Sequence, residues 1–120
     1  MKKISATFLF LFVIAAVTAQ TVIKLEDVSK HIGDSVTVCG KVADMRYFEN
    51  SKNKPTFLNI GARYPQQSLT LVIWETARAM FTAAKPEDLM NKEICITGRI
   101  ILFKEKPEII IERPDQIVVQ

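Results

Sequence analysis

The sequence predicts a mostly β-stranded protein with small helical inserts, folded as a small barrel. The first observation is the alternating stretch of residues 35–46, S-V-T-V-C-G-K-V-A-D-M-R, which has the period of two of a half-buried strand. The second is that residues 94–100, I-C-I-T-G-R-I, repeat residues 36–42, V-T-V-C-G-K-V, with a glycine fifth and a cation sixth. A glycine within a strand marks a bend, a bulge or a close backbone approach, as in a sheet that closes on itself.

Residues 1–19 have the composition of a secretory signal peptide. Lys2 and Lys3 precede an apolar core, and small residues follow it before Gln20. The core is shorter than the roughly 20 apolar residues that a membrane-spanning helix needs. We therefore expect cleavage, with an uncleaved anchor as the alternative. The mature chain is then one domain of residues 20–120 without a membrane span, secreted or periplasmic in a bacterium.

Removal of this leader changes the charge of the protein. The full chain has 16 basic and 13 acidic residues and a formal charge of +3. Lys2 and Lys3 leave with the leader, so residues 20–120 keep 14 basic residues and a formal charge of +1. A nearly neutral domain does not favour strong electrostatic capture of nucleic acid, and any attractive field must be local.

The first part of the mature chain reads as a short helix followed by three strands. Apolar residues at helical spacing within residues 21–33, closed by a glycine, predict a short N-terminal helix. The first strand begins at residue 35 and ends at about residue 47, and residues 49–55 form a polar loop. Residues 56–61 and 68–75 are predicted as the second and third strands.

The second part of the chain begins with a helical insert and ends with two further strands. Ala77, Met80 and Phe81 share one helical face, and a second short turn begins at Pro86. Residues 93–103 form the fourth strand, which carries the repeated pattern. A charged turn leads to the fifth strand at residues 108–112, and residues 114–119 are a final extended segment.

Five strands with a helical insert between the third and the fourth are the plan of the five-stranded Greek-key barrel called the OB-fold. Five segments resemble small bacterial secreted OB-fold proteins that are classed as nucleic-acid-binding-like. These segments are I-G-D-S-V-T-V-C-G-K-V, P-T-F-L-N-I-G, Y-P-Q-Q-S-L-T-L-V-I, K-E-I-C-I-T-G-R-I and K-P-E-I-I-I-E-R-P-D-Q-I. The resemblance covers about residues 25–119 and is specific for the fold, which itself serves several kinds of ligand.

Cys39 and Cys95 are expected to form a disulfide, because secretion places them where disulfides persist. In an OB-fold the first and fourth strands pair antiparallel, and a register with Cys39 opposite Cys95 also sets Thr37 opposite Thr97. Such a bond is expected to contribute about 3 to 4 kcal/mol. Two reduced thiols, after a slip of one residue, are the first alternative. A metal site is less favoured because the sequence has no C-x-x-C spacing and its single histidine, His31, is distant.

No arrangement of residues predicts catalysis. His31 follows Lys30 on the polar side of the predicted helix, and a solvated histidine is the simplest interpretation. The sequence has no S-x-x-K, G-x-S-x-G or H-E-x-x-H motif and no phosphate-binding glycine loop. We expect neither enzymatic activity nor a metal or other cofactor.

The resemblance directs attention to the outer face of the second and third strands and to the loops beside it. Aromatic residues interleaved with cations suit single-stranded DNA or RNA, bound weakly and with strong dependence on salt. The candidate ligand-binding residues are Lys41, Arg46, Tyr47, Phe48, Lys52, Lys54, Asn59, Arg63, Tyr64, Lys104 and Lys106. Phe57 and Trp74 are more simply interpreted as core plugs or as a lid under the helical insert than as stacking residues. Large apolar residues occupy both faces of these strands, so their alternation leaves open which face is inside.

The sequence therefore leaves two binding functions open. The first hypothesis is a secreted module for an extended ligand such as single-stranded nucleic acid. The alternative is a protein-interaction module that docks on an envelope or secreted protein without binding nucleic acid, which the nearly neutral charge favours.

Overall fold

The computed structural model describes residues 21–120, and the predicted signal peptide lies outside them. This part of the chain contains a four-residue helix, α1 (Glu75–Arg78), and three short 3₁₀ helices, at Leu25–Lys30, Pro86–Leu89 and Pro114–Gln116. Its strands are β1 (Thr21–Ile23), β2 (Ser35–Tyr47), β3 (Thr56–Ile60), β4 (Leu69–Ile73), β5 (Glu93–Phe103), β6 (Lys106–Ile110) and β7 (Ile117–Val119). The predicted mostly β character with few helices is confirmed.

Five of the strands form a closed ring. Strand β2 pairs antiparallel with β3, and β3 pairs antiparallel with β4. Strand β4 runs parallel to β6, which pairs antiparallel with β5, and β5 returns to β2 in an antiparallel pairing. The short strands β1 and β7 flank the β2–β5 pair on its two sides. The five strands of the ring correspond to the five that the sequence predicts.

The ring closes tightly where the two repeated glycines lie. Gly40 and Gly98 continue the inward alternation of their strands, between valines and isoleucines that are fully buried. A Cβ atom on Gly40 would lie 2.6 Å from Cγ2 of Ile60, and one on Gly98 would lie 2.6 Å from Cγ2 of Ile109. Ile60 lies opposite Val42 on the neighbouring strand β3, and Ile109 lies opposite Ile100 on the neighbouring strand β6. Each glycine therefore leaves room for an isoleucine side chain of the adjacent strand to pack over its backbone.

The disulfide prediction is confirmed. Cys39 lies opposite Cys95 in the β2–β5 register, their Cα atoms are 4.0 Å apart, and the two sulfur atoms are bonded. The hydroxyl groups of Thr37 and Thr97 form a hydrogen bond of 2.8 Å in the same register. Both pairs point to the outer side of the strands, because the alternating valines and isoleucines fill the interior.

The interior of the ring is aliphatic. It contains the inward-facing side chains of β2 to β6 together with Val28 from the first 3₁₀ helix and Ala77 from α1. Burial of this apolar surface is the main force that stabilises the ring. Its fully buried larger side chains include Leu58, Ile60, Leu69, Leu71, Ile73, Ile94, Ile96, Ile100, Ile109 and Ile111.

Some boundaries differ from the predictions. The N-terminal helix is a 3₁₀ helix of six residues, and the insert after β4 is one turn of α-helix followed by a 3₁₀ helix. Strand β4 ends at Ile73 because the backbone turns into α1, and β6 already begins at Lys106. Strand β1 was not predicted.

Among residues 21–120, no helix combines the length and the apolar character needed to cross a membrane.

Candidate ligand-binding face

The outer face formed by β2, β3, β4 and β6 has two neighbouring rows of side chains. Residues paired across strands point to the same side of a sheet. One row therefore contains Arg46, Phe57, Val72 and Ile110, and the next contains Asp44, Asn59, Thr70 and Glu108. Their neighbours along each strand point into the aliphatic interior.

The first row continues into an open surface that we call the aromatic patch, formed by Arg46, Phe48, Phe57, Trp74 and Ile110. The rings of Phe48 and Phe57 meet edge to face with centroids 5.0 Å apart, and the guanidinium carbon of Arg46 lies 4.6 Å from the centroid of Phe48. Trp74 follows β4 with an extended backbone and is 39% exposed, and Ile110 is 36% exposed. Phe57 and Trp74 thus present part of their surface to solvent and do not plug the core.

The β2–β3 loop borders the aromatic patch and carries two of the predicted cations. The ammonium group of Lys54 lies 3.7 Å from a carboxylate oxygen of Glu75, and the backbone N–H of Glu75 donates to the carbonyl of Asn53 at 3.0 Å. These contacts hold the loop against the start of α1. A shallow cleft of about 320 Å³ lies between them, lined by Asn53, Trp74, Glu75 and Thr76. Lys52 is exposed further along the loop.

Most of the second row is covered by the segment of residues 61–68 that joins β3 to β4. The backbone N–H of Tyr64 donates to Asp44 at 3.2 Å. The hydroxyl of Thr70 donates to the amide oxygen of Asn59 at 2.9 Å and accepts from Gln67 at 3.1 Å. Asn59 and Thr70 are each only 5% exposed. The structure therefore places Asn59, a predicted ligand-binding residue, in a hydrogen-bond network that holds this connection in place.

Glu108 is the remaining member of the second row. It is half-buried between Thr70 on β4 and Ile101 on β5, and burial raises its pKa above the ordinary value for glutamate. Within residues 21–120 it makes neither a side-chain hydrogen bond nor an ion pair. The nearest lysine along its strand, Lys106, extends its ammonium group toward the carbonyl oxygen of Pro65 at 3.5 Å.

A second group of exposed residues lies at the other end of this face, beside the β3–β4 and β5–β6 connections. We call it the turn cluster. The ammonium group of Lys106 lies 5.1 Å from the centroid of Tyr64, and that of Lys104 lies 5.5 Å from the centroid of Phe103. The cluster consists of Arg63, Tyr64, Phe103, Lys104 and Lys106. Phe103 was not among the predicted residues, although its place directly before a charged turn could have indicated exposure.

Two predicted residues lie away from both surfaces. Tyr47 packs under α1, where the guanidinium carbon of Arg78 lies 4.0 Å from the centroid of its ring. Arg78 also donates to the hydroxyl of Thr56 at 2.8 Å and pairs with Glu87, so this group closes one end of the ring. Lys41 lies opposite Glu93 in the β2–β5 pair, outside the aromatic patch and the turn cluster.

His31 forms a local contact with an acidic residue. Its Nδ1 atom lies 3.2 Å from a carboxylate oxygen of Asp34, three residues along the chain. Among residues 21–120, no group of three or more His, Cys, Asp or Glu side chains is arranged to hold a metal ion.

Comparisons with known proteins show similarity of structure alone. No protein-family model and no curated protein sequence matches the chain. Similar solved structures include yeast Stn1 and Ten1, at 13% identity over 87% of this chain and 64% of that chain, with a TM-score of 0.60. The OBody AM1L10 bound to hen egg-white lysozyme is 13% identical over 88% of this chain and 98% of that chain, with a TM-score of 0.55.

A protein from Leishmania major Friedlin assigned as an aspartyl-tRNA synthetase is 11% identical over 88% of this chain, with a TM-score of 0.52. The aligned part spans only 21% of that much longer protein. Identities this low support a conclusion about the fold and not about the ligand. The chain therefore has an OB-like fold, which defines a class of small β-ring domains.

Proposed function

We propose that the protein is a secreted or periplasmic bacterial module whose ring is a five-stranded Greek-key OB barrel that binds single-stranded DNA or RNA. In this proposal it acts by binding alone, without catalysis. The ligand crosses the outer face from the aromatic patch to the turn cluster. One structural neighbour is by name an enzyme of tRNA, which supports nucleic acid as the class of ligand.

The observation that carries this proposal is the arrangement of Arg46, Phe48 and Phe57 on an open face. Two ring surfaces at 5.0 Å with a guanidinium group 4.6 Å from one of them offer stacking and positive charge together. A base stacked on an aromatic side chain gains about 1 to 3 kcal/mol. Cations of the β2–β3 loop and the turn cluster can contact the phosphates on either side. Because acidic residues lie among them, binding is weak and depends on salt.

Trp74 provides a direct test, because it is the only tryptophan of the chain and lies in the aromatic patch. We expect mixed-sequence single-stranded oligonucleotides to quench its fluorescence, with an apparent affinity that falls as salt rises. Phe57→Ala should weaken binding by about 5- to 150-fold, which corresponds to the loss of one stacked base. Absence of quenching and of binding by fluorescence anisotropy at low salt would reject the proposal.

A pair of variants on the same strand supplies the matched control. Arg46→Gln removes a cation of the aromatic patch, whereas Lys41→Gln removes a cation that faces Glu93 across the β2–β5 pair. If Arg46 contacts a phosphate, its loss should make the slope of log affinity against log salt less negative by about 0.7. Lys41→Gln should leave this slope unchanged, because Lys41 lies outside the proposed ligand path. It is a matched control because both variants change the net charge by the same amount.

The alternative function is docking on an envelope or secreted protein. The specific observation in its favour is the Lys54–Glu75 ion pair at 3.7 Å, which neutralises charge beside the exposed apolar surface of Trp74 and Ile110. One structural neighbour, the OBody, is bound to a protein, lysozyme. A purified protein partner that binds after nuclease treatment, and is lost in Ile110→Asp, would favour this function over nucleic-acid binding.

A further inference from the structure

The carboxylate of Glu108 lies on the candidate ligand-binding face and accepts no hydrogen bond from any other group of residues 21–120, although solvent reaches its oxygens. It stands two residues before Ile110 on β6, directly beside the aromatic patch. The other carboxylate of its row, Asp44, already accepts from the backbone of Tyr64 at 3.2 Å and from the amide of Asn59 at 3.5 Å. Lys106, the closest cation along β6, is directed toward Pro65 and Tyr64. Glu108 is therefore a half-buried acceptor without a donor in the described part of the chain.

The chemistry of this group restricts what can lie above it. An ionised carboxylate only accepts hydrogen bonds, and a partly desolvated one is stabilised when donors replace the water that it has lost. A phosphate at this position would bring two negative charges together. A single-stranded nucleic acid that crosses the face therefore places a base over Glu108. The phosphates of this ligand lie nearer to the cations of the aromatic patch and of the turn cluster.

The four bases differ in the donors that they present to a carboxylate. In a single strand the Watson–Crick edges are free to be read by side chains. Guanine presents its N1–H and its N2 amino group side by side, which matches the two oxygens of one carboxylate. Cytosine and adenine each present one amino group beside an acceptor. Thymine and uracil present one N–H between two carbonyl oxygens, which repel a carboxylate.

We infer that Glu108 makes this face selective for guanine, by accepting two hydrogen bonds from the guanine N1–H and N2 amino groups. This inference rests on the proposed binding of single-stranded nucleic acid and adds a preferred base to it. Glu108 is thus a specificity-determining residue, while the aromatic patch supplies stacking that any base can use.

The experiment compares oligothymidylates with a single central guanine, inosine, adenine or cytosine, measured by fluorescence anisotropy with the purified protein. Inosine keeps the N1–H and lacks the N2 amino group, so it isolates one of the two hydrogen bonds. We expect the guanine oligonucleotide to bind about tenfold more tightly than the thymine-only one, with inosine between them. A single guanine per strand prevents self-association of guanine-rich sequences.

Two glutamate variants complete the test. Glu108→Gln should reduce the preference for guanine over inosine to less than about twofold, because an amide offers one acceptor in place of two. Glu93→Gln removes the same charge opposite Lys41 and should retain the full preference. Equal binding of guanine and inosine oligonucleotides by the unaltered protein would overturn the inference and leave the proposed function standing, as would a preference that survives in Glu108→Gln. Absence of binding to every oligonucleotide would overturn both.

Discussion

The hydroxyl groups of Thr37 and Thr97 lie 2.8 Å apart across β2 and β5, one side-chain pair along the strands from the Cys39–Cys95 disulfide. These two cross-strand links occupy the outer side of the two longest strands. A slip of one residue would break both links and would turn the buried valines and isoleucines toward solvent. The register of β2 and β5 is therefore fixed by the disulfide and the threonine hydrogen bond on the outer side and by the buried aliphatic side chains on the inner side.

The disulfide should account for a large share of the stability of the domain. Cys39 and Cys95 are separated by 56 residues. Closing a loop of this size is expected to stabilise a folded chain by about 3 to 4 kcal/mol. We expect the double variant Cys39→Ala/Cys95→Ala to lose about this free energy of unfolding in urea titrations.

A reductant supplies the control for this prediction. It should lower the urea midpoint of the unaltered protein and leave that of the double variant unchanged. If the reductant leaves the unaltered protein as stable as before, once free-thiol titration has verified reduction, the disulfide does not stabilise the fold.

Gly40 should not accept a side chain while Ile60 keeps its own. A Cβ atom there would lie 2.6 Å from Cγ2 of Ile60 on the neighbouring strand β3, so Gly40→Ala forces this side chain to move, at a cost of about 1 to 3 kcal/mol. In an Ile60→Ala background, which lacks Cγ2, the same substitution should cost less, and a double-mutant cycle measures this coupling.

Gly33 is the comparison site for this cycle. Its φ is +89°, and a Cβ atom there would meet no atom within 4 Å. Gly33→Ala should therefore destabilise the protein through backbone strain alone, by about 1 to 2 kcal/mol. This cost should be the same with or without Ile60→Ala. Equal costs of Gly40→Ala in both backgrounds would show that the close approach does not limit position 40.

The fold was largely predictable because its longest strands have a strong pattern. The period of two over residues 35–47 and 93–103 gave the bounds of β2 and β5, and the Cys39–Cys95 pairing gave their register. Strand β1 escaped prediction because three residues carry too little periodicity and directly follow the leader. The start of β6 was placed two residues late, since the charged residue Lys106 resembles a turn residue although it pairs with Phe103.

The candidate site was predictable only in part, because its composition depends on tertiary contacts. Arg46 and Phe48, two of the predicted ligand-binding residues, lie on the outer face in the aromatic patch. Asn59 lies on the expected face, but the β3–β4 connection covers it, and strand periodicity does not report which residues a loop covers. Tyr47 points to the opposite side of β2 from Arg46 and packs against Arg78. The position of Arg78 in α1 explains this packing, and strand periodicity does not report it.

Arg78 should stabilise the closed end of the ring. Its side chain packs on Tyr47, donates to Thr56 at 2.8 Å and pairs with Glu87. One oxygen of the Glu87 carboxylate is already buried without a hydrogen-bond partner. Removing Arg78 would also take away the cation that pairs with this carboxylate. We expect Arg78→Ala to lower the free energy of unfolding by about 1 to 3 kcal/mol.

Arg113→Ala is the matched control for this variant. Arg113 pairs with Asp115 at 3.1 Å, but both side chains are mainly exposed, so its loss should cost less than about 1 kcal/mol. Chemical denaturation followed by Trp74 fluorescence can measure both variants, and Trp74 directly precedes α1. Equal effects of the two substitutions would contradict a structural role for Arg78.

Glu108 should make the free protein less stable as pH rises through the weakly acidic range. Burial raises the pKa of this carboxyl, so between the ordinary glutamate value and the raised value the folded state binds more protons than the unfolded state. The free energy of unfolding therefore falls across this interval, and the full penalty is present above it. The two cations nearest along the strands do not offset it. Lys106, on the same strand, donates to the carbonyl of Pro65, and Arg99, two residues from Ile101 on β5, donates to the carbonyl of Gly33.

Glu108→Gln removes this titration and keeps the shape of the side chain. We expect the variant to be more stable than the unaltered protein at neutral pH, with a difference that shrinks as pH falls below the ordinary glutamate pKa. Urea titrations without ligand, from about pH 4 to pH 8, measure this difference across the relevant range. Glu93→Gln removes the same charge from an exposed position on the β2–β5 pair and is the matched control. A pH-independent difference between Glu108→Gln and the unaltered protein would mean that burial does not disfavour the charged carboxylate.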